Sequence, residues 1–458
     1  MGQADLTAQD APQRRDEAAA ARATRVRYSV LAVGCGLALL TYIHRQSFVR
    51  AHPEIGHALA LNKEQFGYLQ SAFLIGYGLF QVPCGLIGDR LGARHLLTGL
   101  VLGWSLLTGL TALAGHFPAS VGGPFVFLLA ARFLFGVFQA GFFPVWARVM
   151  TDWTPVTERA SAQGMVWMFS RLGGAVGPFM FLALFDLCGT WTTPFWLLAG
   201  LGVLAAVPFW IWFRNRPDEM PQVNAAERAL ITRGLVDSAA VRGPVPWLAL
   251  LGSVNVWALC LMYGFVGSAG NFITNLLSIY LEGDRHLSPG ATTWLTGLPL
   301  AAGIVSCVSG GFLSDWIVRR WRSRKWGRRL NGLVGLVLAG LAIMAVPWAQ
   351  PVWLLALLLC ASFFCNDLIM GPAWAACADI GEGSAGTISG AMNMTGQFFG
   401  AAGMAFAGFM LQRGHAVTLF VVFGCAYGLA ALCWLAVDVT KPLRIDQNRD
   451  VGTMKAEG

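Results

Sequence analysis

Charge is scarce in this chain. Only 12 % of its 458 residues are Asp, Glu, Lys or Arg, half of the about 25 % that an ordinary soluble domain carries, and a soluble globule is thereby excluded. Histidine is scarce too. Of the seven, those at 52, 57, 95, 116, 286 and 415 fall in loops or at the ends of apolar runs, so no facing pair is left to hold haem or copper. The ten cysteines form no CxxC pair and have no metal-ligand spacing; they lie in apolar stretches and read as small packing residues. No nucleophile stands beside a base and no acid cluster is available, so neither enzymatic activity nor a cofactor or metal is expected.

What the chain has is apolar residues, 56 % of the total, enough for about twelve runs of about 20 residues, the length that crosses a bilayer. Hydropathy places the runs near 28–49, 66–88, 94–115, 124–147, 161–185, 194–213, 248–281, 291–316, 328–349, 351–376, 384–411 and 416–437. No cleavable signal pattern precedes the first of them. The implied organisation is a disordered tail over 1–24, a first six-helix bundle over 25–213, a polar linker over 214–247, a second six-helix bundle over 248–437 and a tail over 438–458.

The surplus of base, 32 Lys and Arg against 24 Asp and Glu, could signal nucleic acid, but its distribution says otherwise. One set of alternate loops and the linker carries sixteen: Arg90, Arg94, Arg148, Arg159, Arg214, Arg216, Arg228, Arg233, Arg242, Arg319, Arg320, Arg322, Arg324, Lys325, Arg328 and Arg329. The other set has four: Arg50, Lys63, Arg285 and Arg413. This is the positive-inside bias, which puts both termini in the cytoplasm. The partner it implies is the lipid bilayer, not nucleic acid. Trp191, Trp196, Trp210 and Trp212 at run ends read as an interfacial belt.

The halves echo each other. Gly85-Leu-Ile-Gly-Asp89-Arg90-Leu-Gly92-Ala-Arg94 separates the second and third runs, and Gly311-Phe-Leu-Ser-Asp315-Trp-Ile-Val-Arg319-Arg320 separates the eighth and ninth. A duplicated six-span unit is the layout of a transporter whose halves rock about a midplane site. On these residues the chain resembles the major facilitator superfamily over nearly all of 25–440. The resemblance implies an all-α fold of twelve transmembrane helices in two bundles, in which Asp89, Arg90 and Arg94, with Asp315 and Arg319 as their counterparts, latch the halves in one conformation.

Further stretches narrow the resemblance to the anion:cation symporter branch, which includes bacterial transporters of sugar acids such as hexuronate, galactonate and glucarate. They are Tyr42-Ile-His44-Arg45, Arg132-Phe-Leu-Phe-Gly136-Val-Phe-Gln139-Ala-Gly141-Phe-Phe-Pro144, Asp152-Trp153-Thr-Pro155-Val-Thr-Glu158-Arg159, Ser170-Arg171-Leu-Gly-Gly-Ala-Val-Gly-Pro178, Tyr280-Leu281 and Asn393-Met-Thr-Gly-Gln397. An organophosphate:phosphate antiporter shares Tyr-x-x-Arg and Phe-Gln139 but usually has a second arginine on the seventh span, where Trp257–Leu281 has none. A receptor-like member that binds without transport is the remaining alternative.

Charge inside a span is costly unless it is paired or faces water, so each such residue is a functional candidate. Arg45, Arg132 and Arg171 qualify, and no obvious deep acid serves the first two. A planar guanidinium facing a cavity suits a carboxylate, which it can bind with two parallel hydrogen bonds. Arg45 is the leading candidate; its alternative is to snorkel to the membrane surface. Arg132 divides evenly between site and scaffold, and Arg171 reads as gating or structural.

By family position Tyr42, Tyr77, Trp374 and Asn393 line the cavity. Gln163, Asn271 and Gln397 add polar groups, the last two with an equal reading as helix-to-helix bonds. Where many relatives place Asp before the first arginine this chain has His44, and where most place Glu seven residues after Arg132 it has Gln139. Proton coupling through those positions is thereby in doubt; sodium coupling, exchange and facilitated diffusion stay open. Asp367 is the one acid placed deep in the second half, while Asp379 and Glu382 mark a solvated loop. The expectation is a monomeric transporter of small organic anions in a bacterial inner membrane, with a proton or sodium ion as the candidate co-substrate.

Overall fold

The computed structural model describes residues 22–118, 123–232 and 247–443, and all regular structure among them is helical. Most of the expected tail over 1–24, the linker stretch 233–246 with Arg233 and Arg242, and the end beyond residue 443 lie outside the described residues. Ten helices are long and apolar enough to cross a membrane, and a pair bent by 42°, Gln65–Leu79 with Gln81–Leu91, makes an eleventh. The expected third span is the helix Ala93–Thr111, whose first turn carries Arg94 and His95. The rest, in chain order, are Val26–Arg50, Gly123–Trp153, Arg159–Cys188, Thr192–Trp212, Val254–Asn275, Gly290–Trp321, Arg324–Trp348, Val352–Gly381, Ala385–Gln412 and Ala416–Ala436. We number these twelve helical segments as spans one to twelve.

Three spans are broken, and proline accounts for each break. Proline has no N–H to bond the carbonyl four residues earlier and its ring crowds that turn. Pro83 and Pro144 lie four residues after Leu79 and Ala140, where the first helical pieces of spans two and four stop, and Pro372 lies four residues after Leu368, the residue that caps the first piece of span ten at Asp367. Between spans two and three the backbone turns at Gly92 with φ of +84°, a conformation that any Cβ would strain; a Cβ there would also meet the Asn215 side chain at 2.7 Å.

Helix pairing repeats with an offset of six. In the first bundle span one packs on five, two on four and three on six; in the second, seven packs on eleven, eight on ten and nine on twelve. The bundles meet through spans five with eight and two with eleven, again equivalent pairs. Several spans run further than hydropathy suggests towards the face bearing the sixteen basic residues, hereafter the basic face. Span four reaches Trp153, eight Trp321 and ten Gly381; in span ten Asp379 of the last turn is used between helices rather than left to solvent.

Close approach at the crossings depends on glycine. A Cβ on Gly164 would lie 2.2 Å from the Cys307 carbonyl oxygen, and one on Gly311 2.3 Å from that of Ala160. Gly164→Ala should therefore destabilise closure of the basic face by about 2 kcal/mol, the range of core overpacking. Alkylation of buried Cys307, mapped by mass spectrometry, is expected to accelerate. Wild-type labelling with wild-type uptake would show that the crossing does not need glycine.

Candidate functional site

Arg45 lies towards the end of span one remote from the basic face, and its side chain turns into the protein. The guanidinium sits over three rings, Tyr42 at 4.7 Å, Phe73 at 4.9 Å and Tyr77 at 4.6 Å from carbon to ring centroid. Its Nε donates to Gln139 Oε1 at 3.1 Å, and Gln139 Nε2 donates to the Thr41 carbonyl at 2.9 Å. Nη2 is buried with no partner. As a neutral amide Gln139 orients Arg45 and leaves the positive charge uncompensated.

Arg132 belongs to the same cluster. It is 3 % exposed and lies over Phe48, Phe73 and Phe135 at 4.2, 4.8 and 4.8 Å, and its Nε and Nη2 are buried without partners. Phe73 therefore carries both guanidiniums. Cation–π contact contributes about 1–2 kcal/mol where water is excluded, which holds the cations in place without neutralising them. Nearby His52, in the helix after span one, is pushed down to about 4 by burial and then by the Arg132 guanidinium; it is neutral at physiological pH.

The aromatic floor of the site joins the bundles. Phe143 stacks on Trp167 at 4.3 Å, both approach Trp374 of span ten, and Trp374 Nε1 donates to Tyr263 Oη at 3.3 Å. Asn393 Nδ2 donates to Tyr77 Oη at 3.5 Å across the bundle boundary. Tyr42 lies within electrostatic reach of Arg45, Tyr77, Arg171 and Asp367. Arg45, Arg132, Tyr42, Tyr77, Gln139, Trp374 and Asn393 are thus gathered at one locus.

Two expected members are elsewhere. Gln163 is buried beside Gly164 in the closed crossing of spans five and eight, about 12 Å along its helix from Arg171 at 1.5 Å per residue. His44 points into the first bundle, where Nδ1 meets Thr108 Oγ1 at 3.2 Å and Cε1 lies near Gly202. One residue on a helix is a 100° turn, which separates His44 from Arg45.

The basic face is shut by carboxylates set at helix N-termini, where unpaired N–H groups and the helix dipole favour an anion. Asp89 accepts from the Gly386 and Thr387 N–H groups at 3.0 and 2.7 Å and from Thr387 Oγ1 at 2.7 Å. Asp315 accepts from the Ser161 N–H at 2.6 Å and from Arg328 Nη1 at 2.6 Å. Arg319 donates to the Thr157 carbonyl at 3.2 Å. The latch expected of Arg90 and Arg94 is corrected: Arg90 is exposed, and Arg94 donates to the Trp210 carbonyl and the Asn215 side chain, inside its own half. Asp379 is no loop acid either. Span ten continues past it, and it lies buried between Arg159 at 2.7 Å and Arg328 at 3.4 Å.

Sequence reading missed Tyr263, Phe73 and Trp167, which differ in no local way from packing aromatics. Arg171 was flagged without its partner: Nε and Nη2 donate to Asp367 at 2.9 and 3.0 Å. These groups have the chemistry to hold a small anion at guanidinium groups under aromatic walls.

The chain is similar to known proteins in sequence and in fold. A sequence profile of the Major Facilitator Superfamily matches residues 34–404. A protein of Cupriavidus necator named as a probable sulfoacetate transporter is 31 % identical, over 90 % of this chain and 94 % of its own. An Escherichia coli K12 protein named as a probable L-galactonate transporter is 24 % identical, over 94 % and 92 %. The solved structure of a human organic anion transporter superposes with a TM-score of 0.69 at 17 % identity, over 90 % of this chain and 100 % of that one.

If the Gln139 amide is what leaves Arg45 free, Gln139→Glu should weaken anion binding at neutral pH about tenfold or more, a change of about 1.4 kcal/mol. Thermal-shift titration of the purified variant checks this, and undiminished affinity would show that Arg45 is not the anion's partner.

Proposed function

The chain belongs to the Major Facilitator Superfamily, and from that premise we propose that it is a secondary transporter of small organic anions working by alternating access. The sugar acids and short sulfonated carboxylates are the substrate class we put first. The basic face is cytoplasmic on the positive-inside bias, and the membrane is a bacterial inner membrane.

The single observation carrying this reading is the uncompensated pair Arg45 and Arg132, with buried guanidinium nitrogens that have no partner. A buried cation without a counter-ion is unstable unless something anionic completes it. A carboxylate or sulfonate supplies both the charge and the acceptor oxygens. In this reading Arg45, oriented by Gln139, takes the anionic group from the half-exposed side, and Arg132 adds field from behind Phe73. Tyr42, Tyr77 and Asn393 supply hydroxyl and amide groups for the substrate's own hydroxyls, and Trp374 forms the wall contributed by the second bundle. The relatives named as sulfoacetate and L-galactonate transporters favour the same class.

Alternation follows from the placement of the latches. The polar links between bundles described here run from Tyr77 with Asn393 and Arg171 with Asp367 towards the basic face. This conformation is closed on that face. Transport requires Asp89 and Asp315 to leave the N-termini of spans eleven and five while the opposite ends of the bundles approach.

The test is uptake into proteoliposomes of labelled D-galactonate, D-glucarate, D-glucuronate and sulfoacetate, with glycerol 3-phosphate as the contrasting class. Arg45→Ala is expected to lower uptake about 100-fold, the loss of about 3 kcal/mol for hydrogen bonds to a charged group, while the variant elutes as folded protein. Arg45→Lys should fall between, since an ammonium keeps the charge and loses the fork. Full uptake by Arg45→Ala would end the proposal.

A further inference from the structure

The acid that the first bundle lacks has a counterpart in the second. Spans four and ten are equivalent by the six-span repeat, both are broken by a proline, and Gln139 and Asp367 each lie five residues before that proline, Pro144 and Pro372. Gln139 is an amide that cannot take a proton, and His44 faces Thr108 inside its own bundle. At the equivalent point of span ten the carboxylate is present and fully buried.

Asp367 is bound across the bundle boundary. Arg171 of span five grips it with a fork, Nε to Oδ2 at 2.9 Å and Nη2 to Oδ1 at 3.0 Å. Its remaining surroundings are Asn366 Nδ2, donating to Oδ1 at 2.9 Å, and Cys307 Sγ of span eight at 3.6 Å from Oδ2. Tyr427 of span twelve holds Asn366 through a bond of 2.8 Å, and Tyr42 of span one lies within electrostatic reach. Gly303 leaves the carboxylate room, since a Cβ there would stand 2.6 Å from Oδ2. Arg171 and Asp367 belong to different bundles, so the bridge stands in the way of any motion that separates spans five and ten. Parting two buried charges with nothing in exchange is strongly unfavourable.

We propose that the Arg171–Asp367 bridge is the coupling switch of this transporter, opened when one proton binds the Asp367 carboxylate and the anionic substrate replaces that carboxylate as the counter-charge of Arg171. The inference rests on the anion-carrier reading. The balance is one proton per anion. The proton enters from the substrate's side and adds to a carboxylate oxygen. It leaves on the other side when the substrate departs and Asp367 returns to Arg171. Arg45 and Arg171 border one aromatic wall: Arg45 lies over Tyr42, Tyr42 meets Phe143 edge-on at 6.3 Å, Phe143 stacks on Trp167, and Arg171 lies 6.0 Å from the Trp167 centroid, so substrate passes from one arginine to the other along that wall. With Asp367 protonated and no anion bound, Arg171 is left an unpaired buried cation; with an anion bound and Asp367 ionised, the bridge holds the bundles together, and that is what makes the two fluxes obligatory partners.

The experiment compares counterflow with gradient-driven accumulation in proteoliposomes of the full chain, using labelled D-galactonate, D-glucarate, D-glucuronate and sulfoacetate as probes. For a monoanion carried with one proton, each pH unit of imposed gradient supports about tenfold accumulation, and a membrane potential alone supports none. Wild-type protein is expected to accumulate D-galactonate in this way. Asp367→Asn should retain counterflow and lose accumulation. Absence of counterflow with every probe in the wild type would remove the anion-carrier reading and this inference with it. Wild-type counterflow with accumulation indifferent to the pH gradient, or an Asp367→Asn variant that still accumulates, would overturn the inference alone. Should Asp367→Asn fail to fold, Asp367→Glu decides the matter: it is expected to accumulate substrate with a displaced pH profile, and a profile identical to wild type overturns the switch.

Discussion

Two guanidinium groups resting on one phenyl ring, with no carboxylate paired to either among the described residues, set the terms for the rest of this molecule. Like charges that share one ring in a medium of low effective dielectric repel each other. The protein accepts that through ring faces and one amide, Gln139, rather than through an acid. Any acid placed there would satisfy the folded state and defeat the site. What remains is an electrostatic demand that a small anion from solution meets, and meets best when its oxygens reach the unpartnered nitrogens of Arg45.

The demand is useful only if it is exposed to one side at a time, and the second feature of the fold supplies that. Asp89 and Asp315, near equivalent helix ends of the two halves, each accept from the N-terminal N–H groups of a helix in the other half. Such contacts are specific in direction but made of few bonds, so they close the basic face firmly and release it as a unit. Glycines at the crossings let the backbones meet. Arg159, Asp379 and Arg328 extend the closure into a buried chain of charge across the boundary. The pair Arg171 and Asp367 lies between this closure and the anion site, in a place to be influenced by both.

Much of this was legible in the sequence because the bilayer is a strict solvent. Apolar run length and the bias of arginine between alternate loops outlined the spans, and a lone arginine in an apolar run announced Arg45 as functional. Gln139 drew notice only through the family resemblance, since a neutral amide in an apolar run carries no signal of its own. The partners of the other charges were not legible. Arg171 and Asp367 are 196 residues apart, and their meeting depends on how two bundles pack, which no local pattern encodes. His44 looked available for protons because adjacent residues look adjacent in a sequence, whereas on a helix they point in different directions. Asp379 was placed in solvent because hydropathy ends a span at its first polar turn, while the helix itself continues and buries that turn against Arg159 and Arg328. Arg94 belongs to a motif that suggested a latch between halves, yet its donors are satisfied within the first half.

The most direct test of the account is to see the anion. A structure of the full chain determined with saturating D-galactonate or sulfoacetate should show the carboxylate or sulfonate oxygens within hydrogen-bonding distance of Arg45, under Tyr42 and Tyr77 and facing Trp374. An anion bound at another place, with the Arg45 nitrogens still unpartnered, would contradict the central claim.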